Sequence, residues 1–294
     1  MYQSRPMTTA PRRVASLLGH RQVEMAVVCL GSLLRGSAEP LALRLHDDGS
    51  LTAEDRERLA AALDHPDIVP RSEADERVAP ALAGRPALAA FRRTNPLALK
   101  LIDAVLYAGD ELAYCDTDVL FVRPFSGLFA AGTGGATFMA DRQNAYSIRS
   151  WHLLRARLGH RLRLARHVNS GIIQFPAAAW DPDLLEWYLG RPEMAFSPVW
   201  MEQTAWALLG GQVGCRLFDP QTIVIPQGPP PQDGLVALHF VSPVRSLLPL
   251  WAEQAVASGD GRAPVPISRR PAGRCGPLNL AREELRRRLA RLTS

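Results

Sequence analysis

Residues 111–121 read ELAYCDTDVLF, and this stretch decides the fold class that the sequence predicts. The run Leu112–Cys115 is short and apolar, which is typical of a buried strand. Asp116 and Asp118 follow it and stand two positions apart, so an extended chain turns both side chains the same way. An apolar strand that ends in paired carboxylates indicates an open α/β sheet, in which ligands bind beyond the carboxyl ends of the strands.

Upstream of this stretch, short apolar runs alternate with amphipathic segments. Strands are predicted at Val14–Leu18, at Leu41–His46 and around Ile68–Val69, with helical segments after each of them. This βαβαβ order predicts a parallel sheet with helices on both faces. Beyond Asp118, Gly- and Pro-rich turns separate the short apolar runs, which indicates that the second half of the sheet is mixed.

Length and composition limit the classes of protein. With 294 residues and 47% hydrophobic content, the chain can bury a full core. No apolar run approaches the ~20 residues that span a bilayer. The N-terminus has no signal-peptide pattern, so the sequence predicts a cytoplasmic protein without a transmembrane segment. The four cysteines lie far apart and form no CxxC pair, which argues against a zinc knuckle or a disulfide framework.

The net charge of +5 is concentrated near the C-terminus. Residues 259–294 carry nine arginines against three acidic residues, whereas the rest of the chain carries 25 basic and 26 acidic residues. A nucleic-acid partner is therefore not predicted. The same change in composition predicts two parts, an α/β domain over 14–255 and, over 256–294, a Pro/Gly/Arg-rich linker without a core followed by a basic helix.

The final helix has one apolar stripe, because its leucines recur at helical spacing while arginines fill the other positions. The leucines of the stripe are Leu278, Leu285, Leu289 and Leu292. The stripe has two interpretations: it packs on the domain itself, or it makes a weak contact with a membrane surface.

The two aspartates after the strand suit a hard cation such as Mg²⁺ or Mn²⁺ that also binds diphosphate oxygens. Such a cation would neutralise the charge that develops on a leaving nucleoside diphosphate. In isolation, a D-x-D pair is more typical of a solvated turn at a strand end. The other segments of the sequence decide between these interpretations.

The run ELAYCDTDVLFVRPF at Glu111–Phe125 resembles the D-x-D segment of GT-A glycosyltransferases, especially retaining enzymes similar to glycosyltransferase family 8. Later segments match in the same order. His167–Phe175 resembles the family's Asn-small-Gly segment, and Glu202-Gln203 resembles the acidic-Gln pair that faces the donor sugar. Leu238–Arg245 resembles the late His-x-x-Gly-x-x-Lys segment. The first strand, VASLLGH, departs from the family because it lacks the acidic residue and the following Tyr often found around the uridine.

The resemblance implies a GT-A-like, Rossmann-like fold, with a mixed, mostly parallel central sheet and helices on both faces. It also implies a metal-dependent, hexosyltransferase-like enzyme. The expected donor is a nucleotide-diphosphate sugar, with a UDP-sugar as the first expectation. The acceptor is not identified beyond a carbohydrate or other hydroxyl compound, with a glycan or a lipid-linked molecule as the expectation. The implied site residues are Asp116, Asp118 and His239 for Mn²⁺ or Mg²⁺; Lys100, Thr117, Ser170, Gly171 and Arg245 for the donor; and Gln203, Asp141 and Asn169 for catalysis at the sugar.

Two other interpretations stay open. A non-catalytic protein of the same fold would bind a nucleotide sugar or a partner without turnover. A strand followed by D-x-D-V also resembles the first motif of haloacid-dehalogenase-like phosphatases, in which the first Asp is a nucleophile. That motif belongs on the opening strand with a lysine downstream. Here several elements precede Asp116, and the single lysine of the sequence, Lys100, lies upstream of it.

Overall fold

The structure is a computed structural model that describes residues 10–130, 135–159, 162–191, 197–226 and 234–292. Within these ranges the strands are β1 (Arg12–Leu18), β2 (Leu41–Asp47), β3 (Asp67–Val69), β4 (Glu111–Cys115), β5 (Val119–Phe121), β6 (Phe125–Ser126), β7 (Ala136–Ala140), β8 (Val168–Pro176), β9 (Cys215–Phe218), β10 (Ile223–Val224), β11 (Ala237–His239), β12 (Val265–Pro266) and β13 (Arg269–Pro271). The helices are α1 (Val23–Gly36), α2 (Ala53–Ala62), α3 (Arg71–Leu82), α4 (Pro86–Thr94), α5 (Ala98–Leu101), α6 (Asp103–Leu106), α7 (Ser150–Gly159), α8 (Pro182–Leu189), α9 (Pro198–Val213), α10 (Leu248–Ala252) and α11 (Pro277–Leu292).

The central sheet has eight strands in the described chain, in the order β13-β9-β7-β8-β4-β1-β2-β3. The strands β4, β1, β2 and β3 are parallel neighbours. β8 pairs antiparallel with β4 and with β7, and β13 pairs antiparallel with β9. The predicted fold class, a mixed and mostly parallel α/β sheet, is confirmed.

Apolar side chains cover both faces of this sheet. In β4, Leu112 and Tyr114 belong to a buried cluster that also contains Trp206 of α9. Ala113 and Cys115 belong to a second cluster, to which α1 contributes. Successive residues of a strand face opposite sides. The apolar run before the aspartates is therefore buried on both sides, as expected for a central strand between two helical layers.

The strand order reverses at β1. β2 and β3 lie on one side of β1, whereas β4, the next strand of this sheet along the chain, lies on its other side. In open α/β sheets the ligand crevice forms outside the carboxyl ends of the strands at such a reversal. The crevice here lies beyond Leu18, which ends β1, and Cys115, which ends β4. Asp116 is the first residue beyond β4.

A smaller sheet, in the order β10-β11-β5, brings a distant segment to the D-x-D pair. β5 begins at Val119, directly after Asp118, and β11 pairs antiparallel with it so that His239 stands opposite Val119. The backbone N–H of Phe240 donates to the carbonyl oxygen of Asp118 at 2.8 Å. Strand pairing therefore places His239 beside the aspartates.

The segment predicted as a linker contributes strands to the sheets. β12 pairs with β6, and β13 extends the central sheet beside β9. Ile267 and Cys275 are buried. The prediction that this segment has no core is wrong, because two- and three-residue edge strands pair without the long apolar run by which a strand is recognised in a sequence. The domain boundary at residue 255 stays a prediction.

Helix α11 packs on the domain through the side opposite its leucine stripe, and Leu280 is buried on that packed side. The Ser150 N–H of α7 donates to Glu284 Oε1 at 2.7 Å. The Arg287 guanidinium carbon lies 4.4 Å from the ring centroid of Trp200. The leucines of the stripe that remain exposed are Leu278, Leu285 and Leu289. The side chain of Leu292 lies outside the described residues. None of the helices in the described ranges has both the length and the apolar composition that crossing a membrane requires.

Candidate active site

A cavity of about 720 Å³ lies beyond the carboxyl ends of β1 and β4. This volume is in the range of pockets that enclose a small-molecule ligand. The structure brings nearly all of the site residues predicted from the sequence to its wall. These residues are Lys100, Asp116, Thr117, Asp118, Asp141, Asn169, Ser170, Gln203, His239 and Arg245. Gly171 does not line the cavity but lies against the ring of His239.

Asp116, Asp118 and His239 form one cluster of ligand atoms. One atom from each of the three lies within 4.8 Å of the other two. Nε2 of His239 is 3.1 Å from Oδ1 of Asp118 and 3.6 Å from Oδ2 of Asp116. Carboxylate oxygens and an imidazole nitrogen are a donor set that Mn²⁺ and Mg²⁺ accept in proteins.

Asn169 determines which nitrogen of His239 faces the aspartates. Oδ1 of Asn169 accepts the Gly171 N–H at 2.8 Å and lies 3.0 Å from Nδ1 of His239. An amide oxygen only accepts, so Nδ1 carries a proton. If the ring is neutral, Nε2 directs a lone pair at two carboxylates, which is favourable only when a metal cation lies between them. Without a metal, a proton on Nε2 makes the ring a cation and satisfies the same contact. Burial opposes the charged ring, but the charge of Asp118 raises the pKa of His239 overall.

Asp118 stays ionised across the physiological pH range. Arg245 donates to its Oδ2 at 2.6 Å. Burial favours the neutral acid, but the charges and hydrogen bonds of His239 and Arg245 lower the pKa of Asp118 to about 2. The residues present therefore fit a divalent cation, since two carboxylates and an oriented imidazole converge on a cavity from which a ligand can complete the coordination.

Lys100 is buried beneath Asp116. Its Nζ donates to both carboxylate oxygens of Asp116, at 3.0 Å each, and lies 3.6 Å from Oε1 of Glu202. The Tyr114 hydroxyl also donates to Asp116, at 2.9 Å. Burial opposes the charge of Lys100, but Asp116 and Glu202 raise its pKa overall. Lys100 thus holds Asp116 in place in this structure, and its predicted contact with donor phosphates stays a prediction.

Glu202 of α9 is buried at the cavity wall. Ser170 Oγ donates to its Oε2 at 3.0 Å, while Oε1 has no hydrogen-bond partner among the described residues. Burial raises the pKa of Glu202 to about 6, against the opposing effect of Lys100. The sequence places Glu202 in the acidic-Gln pair but predicts a role only for Gln203. The structure shows that Glu202 lies 3.6 Å from Nζ of Lys100, which in turn binds the candidate metal ligand Asp116.

The residues predicted for the sugar site lie around the same cavity. The Gln143 N–H donates to Oδ1 of Asp141 at 3.1 Å, and burial raises the pKa of Asp141. Nε2 of Gln203 donates to the Ala145 carbonyl at 3.1 Å. Thr117 is buried at the wall between the two aspartates. The catalytic and donor-binding roles of these residues stay predictions.

Sequence reasoning missed two parts of the site. Tyr114 stands two positions before Asp116, so the two-residue period that pairs the aspartates also directs its side chain to their side of the strand. This spacing therefore identifies Tyr114 as a neighbour of Asp116 from the sequence alone. Gly19 and Gln22 line the cavity beyond β1, together with Asp48 beyond β2. Neither the residue type nor the surrounding pattern marks Gly19 or Gln22 as a site residue in the sequence.

Comparison with solved structures identifies the fold. Mouse xyloside xylosyltransferase 1 in its apo form is similar at a TM-score of 0.55 and 11% identity, covering 80% of this chain and 99% of that chain. Galactosyltransferase LgtC, in complex with donor and acceptor sugar analogs, is similar at a TM-score of 0.50 and 14% identity, covering 84% and 98%. Neither a protein-family model nor a curated protein matches the sequence. The chain has the GT-A fold that these glycosyltransferases share.

Gly171 offers a direct test of the position of His239. A Cβ at this residue would collide with Cε1 and Nδ1 of the His239 ring, so Gly171→Ala displaces the imidazole while both aspartate side chains are kept. We expect Mn²⁺ affinity, measured by calorimetry, to fall by about 10- to 100-fold, as when a partner that orients a metal ligand is lost. Gly261→Ala is the matched control, because its Cβ would meet no atom within 4 Å. Unchanged metal affinity in Gly171→Ala would exclude His239 as a ligand.

Proposed function

We propose that this chain is a metal-dependent glycosyltransferase that moves a sugar from a nucleotide-diphosphate sugar to a hydroxyl acceptor. The observation that carries the proposal is the convergence of Asp116, Asp118 and His239 within 4.8 Å at one cavity. The cavity lies where the strand order of a GT-A fold reverses, which is where such sheets bind nucleotides. Fold likeness alone would leave the activity open, because one fold hosts many functions.

The three residues of this cluster would hold Mn²⁺ or Mg²⁺. When bound, the cation neutralises charge on the diphosphate that leaves the sugar. Lys100 fixes the orientation of Asp116 through its two hydrogen bonds. Arg245, which is about half exposed, can turn its guanidinium fork from Asp118 towards an entering diphosphate. Positioned charges of this kind stabilise the transition state because they need no reorganisation during the reaction.

The donor sugar would occupy the part of the cavity beside α9. Gln203 of α9 lines the cavity, as do Asp141 and Asn169. Gln203 and Asn169 can hydrogen-bond sugar hydroxyls, while the half-buried Asp141 and the buried Glu202 supply carboxyl groups with raised pKa values. Carboxyl groups with perturbed pKa values in a cavity are typical of functional sites. The galactosyltransferase that shares the fold binds donor and acceptor sugar analogs, which supports two sugar subsites here.

The test is a calorimetric titration of nucleoside diphosphates with and without a divalent cation. We expect UDP, the first donor nucleotide to examine, or GDP to bind at least about tenfold more tightly with Mn²⁺ than with chelator, because the cation joins the carboxylates to the phosphates. UMP is the matched control ligand. It keeps the base and ribose but lacks the second phosphate, so most of the metal dependence should disappear.

The sugar-transfer step is tested next with the nucleotide that binds. Release of the nucleoside diphosphate from its sugar conjugates, in the presence and absence of Mn²⁺, reports hydrolysis of the donor by water. Tight, metal-dependent binding without any release would support the non-catalytic interpretation. Nucleotide affinity that is the same with Mn²⁺ and with chelator would contradict the proposal itself.

A further inference from the structure

Helix α11 exposes its apolar side. Leu278, Leu285 and Leu289 are 77%, 57% and 54% exposed. They are seven and four positions apart, so they form one stripe along the helix. Leu280 and Glu283, which are buried at 3% and 8%, stand two positions from a stripe leucine and therefore about 200° around the helix. The domain is packed against one side of α11 while the leucine stripe points away from it.

Arginines flank the leucine stripe on both sides. At about 100° per residue, Arg282 and Arg286 lie along one flank of the stripe and Arg288 along the other. All three are exposed. Among the described residues, no ion pair to an acidic side chain is found for these three. A leucine stripe with cationic flanks has the charge and shape of a helix that lies in the interface of an anionic bilayer.

We infer that α11 is a docking surface for an anionic phospholipid membrane, with the leucine stripe in the outer part of the bilayer. The three arginines would lie at the level of the lipid phosphates, where long cationic side chains keep their charge in water. Charge complementarity favours lipid over a second copy of this chain, because two such helices would bring like charges together. The inference concerns a surface outside the cavity and is independent of the proposed reaction.

The packed side of α11 contacts the wall of the cavity. Arg287 donates to the Asn144 carbonyl at 2.6 Å and lies against Trp200, which lines the cavity. Membrane docking through the stripe would therefore hold this wall close to the lipid surface. If the proposed function is correct, docking would bring an acceptor hydroxyl carried by a membrane lipid near this wall.

The test is co-sedimentation of the full chain with vesicles. We expect binding to vesicles of phosphatidylcholine with phosphatidylglycerol, and at least about tenfold weaker binding to phosphatidylcholine alone. Raising the salt concentration should weaken binding to the anionic vesicles, because ions screen the arginine charges. Absence of binding to anionic vesicles would overturn the inference.

Two sets of variants separate the apolar and the charged contributions. The variant L278S/L285S/L289S is expected to lose at least about tenfold in affinity for anionic vesicles. The variant R282Q/R286Q/R288Q is expected to lose the preference for anionic lipid. V213S/L250S is the control, because these side chains are 47% and 72% exposed on other elements. Equal losses in the control and the leucine variant would show an unspecific apolar contact and overturn the inference.

Folding and self-association are checked with the same proteins. Because the substituted side chains are exposed, the midpoint of thermal unfolding should stay within a few degrees of the original chain. Sedimentation velocity without lipid tests whether a second copy of this chain covers the leucine stripe instead. A dimer that L278S/L285S/L289S converts to monomer would assign the stripe to a second copy and exclude the membrane. Neither result depends on nucleotide binding, so failure here leaves the proposed function standing.

Discussion

Replacing Asp118 with asparagine is expected to lower Mn²⁺ affinity and metal-dependent turnover of a nucleotide sugar by about a thousandfold. The substitution keeps the size of the side chain but removes a charge that Nε2 of His239 approaches to 3.1 Å and the Arg245 guanidinium to 2.6 Å. Because the pKa of Asp118 is about 2, the charge is present at every pH at which the proposed activity would be measured. Calorimetry with Mn²⁺ and release of nucleoside diphosphate from the donor measure the two effects.

Asp183→Asn is the matched control for this prediction. Asp183 is also ion-paired, with Arg85 at 2.8 Å, but its side chain is 82% exposed and lies on α8. The control should keep both metal affinity and turnover, since exposed ion pairs contribute little. If Asp118→Asn kept its metal dependence as well, the assignment of Asp118 as a ligand would be wrong.

The two aspartates could be predicted because their geometry is local. The apolar run marks the strand that they follow, and they stand two positions apart. The extended chain that this spacing suggested is wrong, however, because residues 116–118 form a turn in which the Val119 N–H donates to the Asp116 carbonyl at 3.3 Å. His239 is different, because it reaches the aspartates only through the pairing of β11 with β5. Nothing in a single sequence fixes the register between segments about 120 residues apart. The order of the family-like motifs indicated His239 as a metal ligand, whereas no local property of the strand that carries it did.

Lys100 shows a second limit of the sequence. Its position before the D-x-D strand predicts a cation near the site, but the same charge can hold a phosphate or a carboxylate. In the structure Nζ of Lys100 donates a hydrogen bond to Asp116 and lies 3.6 Å from Oε1 of Glu202. Glu202 belongs to α9, a separate element. Which anion a lysine meets depends on packing between elements, and residue types alone do not determine it.

The leucine stripe of α11 shows a third limit. Its spacing correctly predicts an amphipathic helix. Which side faces the domain depends on individual contacts, such as Glu284 with Ser150 and Arg287 with Trp200. These contacts, together with the burial of Leu280 in the core, fix the helix with its leucine stripe outwards. An apolar stripe predicts that some surface covers it, but the sequence does not say whether that surface belongs to the same chain.

Lys100→Met is expected to reduce the free energy of unfolding by about 3–5 kcal/mol near neutral pH, because it leaves buried charges without their partner. Lys100 is 2% exposed, and methionine matches its length without its charge. The Glu202 carboxylate, whose pKa is already raised to about 6 by burial, would lose the nearby cation that opposes this rise. Asp116 would lose two of its hydrogen bonds, so metal affinity should fall as well.

The pH dependence of this loss identifies its cause. In the folded chain, Glu202 takes up a proton at a higher pH than in the unfolded chain, so its stabilising contribution is present at low pH and is lost as pH rises through about 6. Without Lys100 this pKa rises further. Urea unfolding should therefore show a smaller loss of stability for Lys100→Met at about pH 5 than at about pH 8.

The double variant Lys100→Met/Glu202→Gln should recover at least about 1 kcal/mol of the loss at the higher pH, because the charge left without a partner is gone. A loss that is the same at both pH values, and the same in the Glu202→Gln background, would show that Lys100 stabilises the fold through its aliphatic packing and not by holding the carboxylates.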